Sequence, residues 1–212
     1  RGPSYRMSAE MVRDNALKVS GLLVPKIGGK SVYPYQPDDL WNLSDKKWRY
    51  RYQHDKGDGL YRRSLYTFWK RSAPPPSMLI FDTPNRDLCS VKRTLTSSPL
   101  QALLLLNDPQ FVEAARVMAE NSILSEDIGV DKKLSTLFRK ITGRIVKEGE
   151  LEILLKFYSE EKEKFSKNPS KAIAYLKTGE QPINRKTGII NTAALATVIS
   201  GMMNTAEAIT IN

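Results

Sequence analysis

Acid–base or nucleophilic chemistry near neutral pH would have to come from one histidine and one cysteine, His54 and Cys89. His54-Asp55 with Asp58 has the composition of a base and its orienting carboxylate, and Cys89 could supply a nucleophile. The same residues read equally as a Gly-flanked turn, HDKGDG, and an ordinary half-buried thiol, because a Cys–His pair without a family signature carries little weight. Asp55, Asp58 and Asp82, with Asp38 or Asp39, could gather around a hard cation such as calcium. DKGDG opens like an oxygen-ligand loop but lacks the later bidentate Glu, and turn chemistry alone explains its Asp and Gly. Gly28-Gly29-Lys30-Ser31 lacks the first glycine of a phosphate loop at the required spacing and follows no strand. No catalytic residue, metal site or cofactor is therefore assigned to this chain.

Arginines and aromatics are the richer signal. Between Lys46 and Arg93 stand 12 Lys or Arg against 4 Asp, so most of the formal charge of +10 sits in less than a quarter of the chain. Eight aromatics share that window. Arg62, Arg63, Lys70, Arg71, Arg86, Lys92 and Arg93 could pair with carboxylates, sulfates or phosphates, Arg doing so bidentately. Trp48, Tyr66 and Trp69 could stack on sugar rings or bases. The structural alternative is that Arg62 and Arg63 brace the long loops through Asp55, Asp58 and Asp82, their aliphatic stems covering aromatics. No helix-turn-helix or RNA-binding signature accompanies the charge, so nucleic acid is not an expected partner.

The elements that must position these residues are helical. Ser8 is a plausible N-cap, and Met11/Val12, Ala16, Val19 and Leu23 recur at helical spacing before Pro25. Val24 to Gly59 is a long aromatic-rich connection, in which KWRYRYQ (Lys47–Gln53) alternates base and aromatic at strand period and predicts a short strand or hairpin. Leu60–Arg71 fits a helix, with Leu60/Tyr61, Ser64/Leu65 and Phe68/Trp69 on one stripe, ended by Pro74-Pro75-Pro76. A second irregular connection follows through Asp82, Pro84, Arg86 and Cys89. Ser98-Pro99 and Asp108-Pro109 are start signals for two helices, the second running to about Ile123. Further helices are expected over Asp131–Thr142 with Gly143 as C-cap, Glu148–Phe165, Pro169–Leu176, and Ile189 to about Ile209. Glu160 to Lys164 reads as a solvated helix face. The fold class is all-α: an irregular multi-helix bundle with two long basic and aromatic loops near the N-terminus.

With 212 residues, 41% of them hydrophobic, the chain can bury a real core, and one domain over 1–212 is expected, 1–95 carrying the loops and 96–212 the bundle. Arg1 in first position suggests a piece of a longer protein. A single cysteine excludes an internal disulfide and Cys-pair metal or haem motifs, and no apolar run is long enough to span a bilayer.

Several blocks carry a family resemblance: RDNALKVSGLL (Arg13–Leu23), GG…YPYQP…LW (Gly28–Trp41), LYRRSLYTFWKR (Leu60–Arg71), PPPSMLIFDTPNRDLC (Pro74–Cys89) and TSSPLQALLLLNDPQFVEAAR (Thr96–Arg116). LFRKITGR (Leu137–Arg144) and NTAEAIT (Asn204–Thr210) follow in order. The sequence resembles the C-terminal domain of unknown function of planctomycete-type exported proteins that carry cytochrome-c-like modules. In that family the last block more often reads Asn-x-Asp-Glu, of which Asn204 and Glu207 remain. The resemblance implies a secreted or periplasmic setting, haem only in upstream modules, and other domains of the same polypeptide as partners. Acidic or sulfated polysaccharide is the ligand class its associations suggest. It thus points to a binding or docking module, or alternatively to the non-haem part of an oxidoreductase whose electrons pass to an upstream cytochrome-c-like module.

Overall fold

In the computed structural model, residues 4–37, 39–41, 52–125, 129–184 and 186–211 are described. Among them are eight α-helices: α1 (Ala9–Ser20), α2 (Pro76–Ile80), α3 (Pro99–Asn107), α4 (Pro109–Ser125), α5 (Val130–Thr142), α6 (Glu148–Lys167), α7 (Pro169–Leu176) and α8 (Ile189–Met203). Two short strands, β1 (Tyr5–Arg6) and β2 (Thr210–Ile211), pair antiparallel. The fold is all-α, as the patterning predicts, with two long irregular connections before α3.

Local chemistry sets most boundaries. Ser8 accepts a hydrogen bond from the Met11 amide, and Gly21 ends α1 at φ 86°, a left-handed position that glycine occupies without a steric penalty. Asp108 accepts from the Gln110 amide at 2.9 Å and starts α4. Ser98 occupies the cap position of α3, but its side chain makes no capping bond, leaving Pro99 as the start signal that acts. Glu150 reaches back to the Lys147 amide at the start of α6.

Two apolar clusters share α4. Ala115, Met118 and Ala119 face Leu134, Leu137, Phe138 and Ile141 of α5 and much of α8. Phe111 and Ala114 of the same helix join Val12, Ala16 and Leu17 of α1, Leu60, Tyr61, Met78 and Phe81. Helix α8 is apolar almost all round and correspondingly enclosed. Its Gly201 faces the Phe157 ring of α6, where a Cβ would sit in tight contact. Helix α8 stops at Met203, short of the expected Ile209, and a 3-10 turn at Glu207–Ile209 leads into β2.

The helix expected over Leu60–Arg71 does not form. Short 3-10 turns at Gly57–Tyr61 and Ser64–Tyr66 stand there instead. Parallel bridges tie Val24 to Arg62 and Val32 to Thr67, with Val24, Val32 and Phe68 amides donating across. Long-range backbone pairing has overridden a stripe of barely three turns. Leu60 and Tyr61 are buried as expected, whereas Leu65 is 72% exposed. Phe68 is at the rim, stacked on Tyr33 with centroids 5.0 Å apart. Of the strand expected over Lys47–Gln53, only Tyr52 and Gln53 are among the described residues, and Tyr52 packs edge-on to Trp41 and Tyr33.

Candidate functional site

Among the described arginines of the basic window, Arg62 is buried and Arg63, Arg71, Arg86 and Arg93 are exposed. Arg62 is 6% exposed. Its guanidinium donates to the carbonyls of Lys26, Gly28 and Lys30 and lies 4.0 Å over the Tyr66 ring. The Tyr66 hydroxyl accepts from the Gly28 amide at 2.9 Å. Gly28 and Gly29 turn with positive φ, so this arginine–tyrosine pair grips a glycine loop rather than a ligand. Arg63 points outward, 56% exposed at its side chain and 3.7 Å from Asp14. The expected bracing through Asp55, Asp58 and Asp82 is therefore corrected. Arg62 braces through backbone carbonyls and Arg63 approaches Asp14, while Asp55 accepts from the Tyr33 amide. Asp82 accepts from the amide and hydroxyl of Thr96.

Around the second connection the charges face solvent. Trp69 donates its indole N–H to the Asn85 carbonyl at 3.2 Å, and the Arg86 guanidinium lies 4.5 Å over its ring. Arg86 holds φ 64°, a left-handed conformation uncommon for a branched-free long side chain and costly without support. The cation–π contact and the exposed turn around it supply that support. Lys70 lies 4.9 Å over the Trp41 ring, and Arg71 is exposed. Arg93 pairs with Glu10 of α1 at 2.7 Å. Trp48, the remaining expected site residue, lies outside the described residues. Trp69 and Arg86 are thus in contact, with Lys70 and Arg71 following Trp69 in the chain, whereas Arg62 and Tyr66 serve the glycine loop.

Sequence reasoning missed a buried polar system on α4. Glu113 and Arg116 of α4 are fully enclosed and Glu120 nearly so. Arg116 is 2.9 Å from Glu120 and 3.8 Å from Glu113. Glu113 also accepts from the hydroxyls of Tyr35 and Tyr61 at 3.1 and 3.0 Å, and from the Gln181 amide at 2.7 Å. Burial, then the adjacent carboxylate, pushes both phenols upward, Tyr61 to about 12, so both remain hydrogen-bond donors to Glu113. The Tyr35 hydroxyl accepts from the Glu180 amide, and the Glu180 carboxylate meets His54 at 3.0 Å. His54 therefore pairs with Glu180 and not with Asp55, and Cys89 is exposed rather than half-buried. The signal available for the triad was its spacing: charges at i, i+3 and i+7 on an otherwise apolar helix fall on one face.

A second buried knot joins α1, α4 and the Leu60 segment. Arg13 donates to the carbonyls of Leu60 and Arg62, to Ser64, and twice to Gln110 Oε1. Nearby, burial pushes the Asp108 carboxyl up to about 6, against opposing help from the Gln110 amide and Arg13. A folded-state value above the ordinary 3.8 means the native state holds the proton longer. This group's contribution is thus complete below about pH 4 and falls as pH rises through 6. Asp108→Asn keeps a cap acceptor and removes that titration. It is expected to be more stable than the parent by roughly 1–3 kcal/mol above pH 6 and equal to it below pH 4. Urea denaturation at pH 4 and pH 7 checks this.

Two of the sequence blocks meet at Arg144, which bridges Glu150 and Glu207 at 2.7 Å each. The guanidinium holds Glu150 down to about 2. Among the described residues no group of three or more His, Cys, Asp or Glu is placed to hold a metal ion, and no helix is long and apolar enough to cross a membrane.

A family model described as PSD1, protein of unknown function (DUF1553), matches residues 1–158. No curated protein and no solved structure matches.

Proposed function

The chain belongs to the PSD1 family of proteins of unknown function (DUF1553), and from that premise we propose that it is a helical binding module for an acidic glycan. The observation that carries this reading is the Trp69–Arg86 pair, an indole fixed at its N–H and overlaid by a solvent-facing guanidinium. Lys70 and Arg71 follow Trp69 in the chain, and Arg71 is exposed. A guanidinium meets sulfate or carboxylate with paired hydrogen bonds, and the indole beneath Arg86 holds that guanidinium in place. Net charge steers the polyanion to the face without fixing its identity. The parent polypeptide would be exported, with any haem in an upstream cytochrome-c-like module.

Titration with dextran sulfate, dextran and duplex DNA at two salt concentrations tests the reading. Selective binding of dextran sulfate is expected, retained in part at high salt. Arg71→Ala/Arg86→Ala should weaken it by roughly tenfold or more, each lost charge-assisted contact being worth about 1.5–3 kcal/mol at most. Equal, wholly salt-sensitive binding of both polyanions would reduce the face to nonspecific electrostatics. No binding at all would leave interdomain docking as the role of this surface.

The second reading, the non-haem part of an oxidoreductase, draws on Tyr35, Tyr61 and His54 gathered about Glu113 and Glu180. Haem reduction in the full-length protein that is lost when this chain is deleted is its expected mark; equal reduction in both would refute it.

A further inference from the structure

A cleft of about 130 Å³ lies between α4, α5, α6 and α8, walled by Ile123, Val130, Lys133, Tyr158, Asn191 and Leu195. Helical spacing brings two pairs of these residues to it. Val130 and Lys133 are three apart on α5, and Asn191 and Leu195 are four apart on α8, so each pair shares one helix face. Leu195 belongs to the main apolar cluster, and Ile123, Val130 and Tyr158 pack against it, so the walls are held by the core. An apolar cavity of roughly 150 Å³ accepts one benzene ring, so the space here suits a single ring or a short chain.

Two polar walls have hydrogen-bonding capacity to spare. The Tyr158 hydroxyl meets Asn191 Oδ1 at 3.5 Å, longer than an ordinary O–H···O bond. Burial pushes this phenol upward, so it stays a donor. Lys133 is half-buried, and among the described residues its ammonium makes no ion pair or hydrogen bond. Its stem lines the cleft and its charge is left to water or to a ligand's anion. No acidic side chain is among the walls. A few polar groups on mostly apolar walls is the composition of a small-ligand site. We propose that this cleft binds a small apolar carboxylate, its ring or short chain lying between Ile123, Val130 and Leu195 and its carboxylate accepting from Lys133 Nζ and the Tyr158 hydroxyl.

The same walls select against the alternatives. A cation would be repelled by Lys133. A carboxylate without an apolar body would gain only a solvent-screened ion pair, which is worth little. A neutral ring would fill the space but leave the ammonium to water. Asn191 is exposed, so a ligand reaches the cleft without opening the core. The site shares no residue with the Trp69–Arg86 face and does not rest on the reading of that face.

Benzoate is the probe, followed through the backbone amides of Ile123, Val130 and Leu195 in the ¹⁵N-labelled chain, with acetate, benzyl alcohol and benzylammonium as comparisons. Saturable shifts are expected with benzoate below about 10 mM, within reach of a millimolar site. Benzyl alcohol should bind more weakly, and acetate and benzylammonium should give no saturation over the same range. Lys133→Gln should lower benzoate affinity by roughly threefold to fivefold, the worth of a partly exposed ion pair, and leave benzyl alcohol unchanged. Val130→Phe, which puts a ring into the cleft from α5, should silence both responses, and it tests the site should Lys133→Gln fail to fold. The proposal is overturned by no saturable response to benzoate, or by an equal response to acetate, benzyl alcohol or benzylammonium. It is overturned too by benzoate binding that ignores Lys133→Gln or survives Val130→Phe.

Discussion

Glu113→Ala is expected to lose roughly 3–5 kcal/mol of folding stability, the range found when one member of a buried ion pair is removed. The loss has several sources at one place. Arg116, fully enclosed, loses the Glu113 carboxylate 3.8 Å away and is left beside Glu120. The Tyr35 and Tyr61 hydroxyls lose their acceptor, and so does the Gln181 amide. Gly179 lies so close that a Cβ there would collide with the Glu113 carboxyl, so the loop through Gln181 is moulded on this side chain. Glu113→Gln keeps an acceptor and the volume, and should cost clearly less than the alanine variant. Urea denaturation of both reads the order directly. An alanine variant within about 1 kcal/mol of the parent would show the network to be dispensable.

Arg13→Met is the second large effect, again about 3–5 kcal/mol. Methionine restores most of the buried stem volume, so the loss isolates the guanidinium. Two backbone carbonyls, the Ser64 hydroxyl and Gln110 Oε1 would remain buried without donors, each at about 1–3 kcal/mol before relaxation or water entry. Because these partners belong to the Leu60 segment and α4, the expected signature extends beyond Tm. Amide hydrogen exchange should rise at Val24, Val32 and Phe68, whose backbone bonds hold that segment in place. A drop in Tm with unchanged protection there would mean the segment is held by packing alone.

Helices with a full stripe and a cap were legible in the sequence. Val130–Thr142 with Gly143 and Pro169–Leu176 match the expected spans within one residue. The Leu60–Arg71 segment was not, because its decisive partners are backbone groups of Val24, Val32 and residues 26–30, and a backbone group leaves no trace in a sequence. The same fact explains Arg62, which in composition looks like any other arginine of the basic window. The exposed part of the candidate face was legible in kind, as basic residues interleaved with aromatics. Its geometry depended on the left-handed turns at Asp82 and Arg86, which no glycine announces. The Glu113–Arg116–Glu120 set carried a readable spacing, hidden by the habit of assigning charges to the solvent side of a helix.

The pairing of Tyr5–Arg6 with Thr210–Ile211 has a mechanical meaning. The two strands run antiparallel with Tyr5 opposite Ile211, so tension applied at these two outermost paired residues opens the ladder one rung at a time. It does not shear all its bonds at once. Behind that small zipper the Met7 amide still holds the Ile209 carbonyl, and α1 and the last 3-10 turn are packed into one cluster. A pull along the polypeptide would thus be met first by a weak latch and only afterwards by the helices, letting the ends yield while the core keeps its shape.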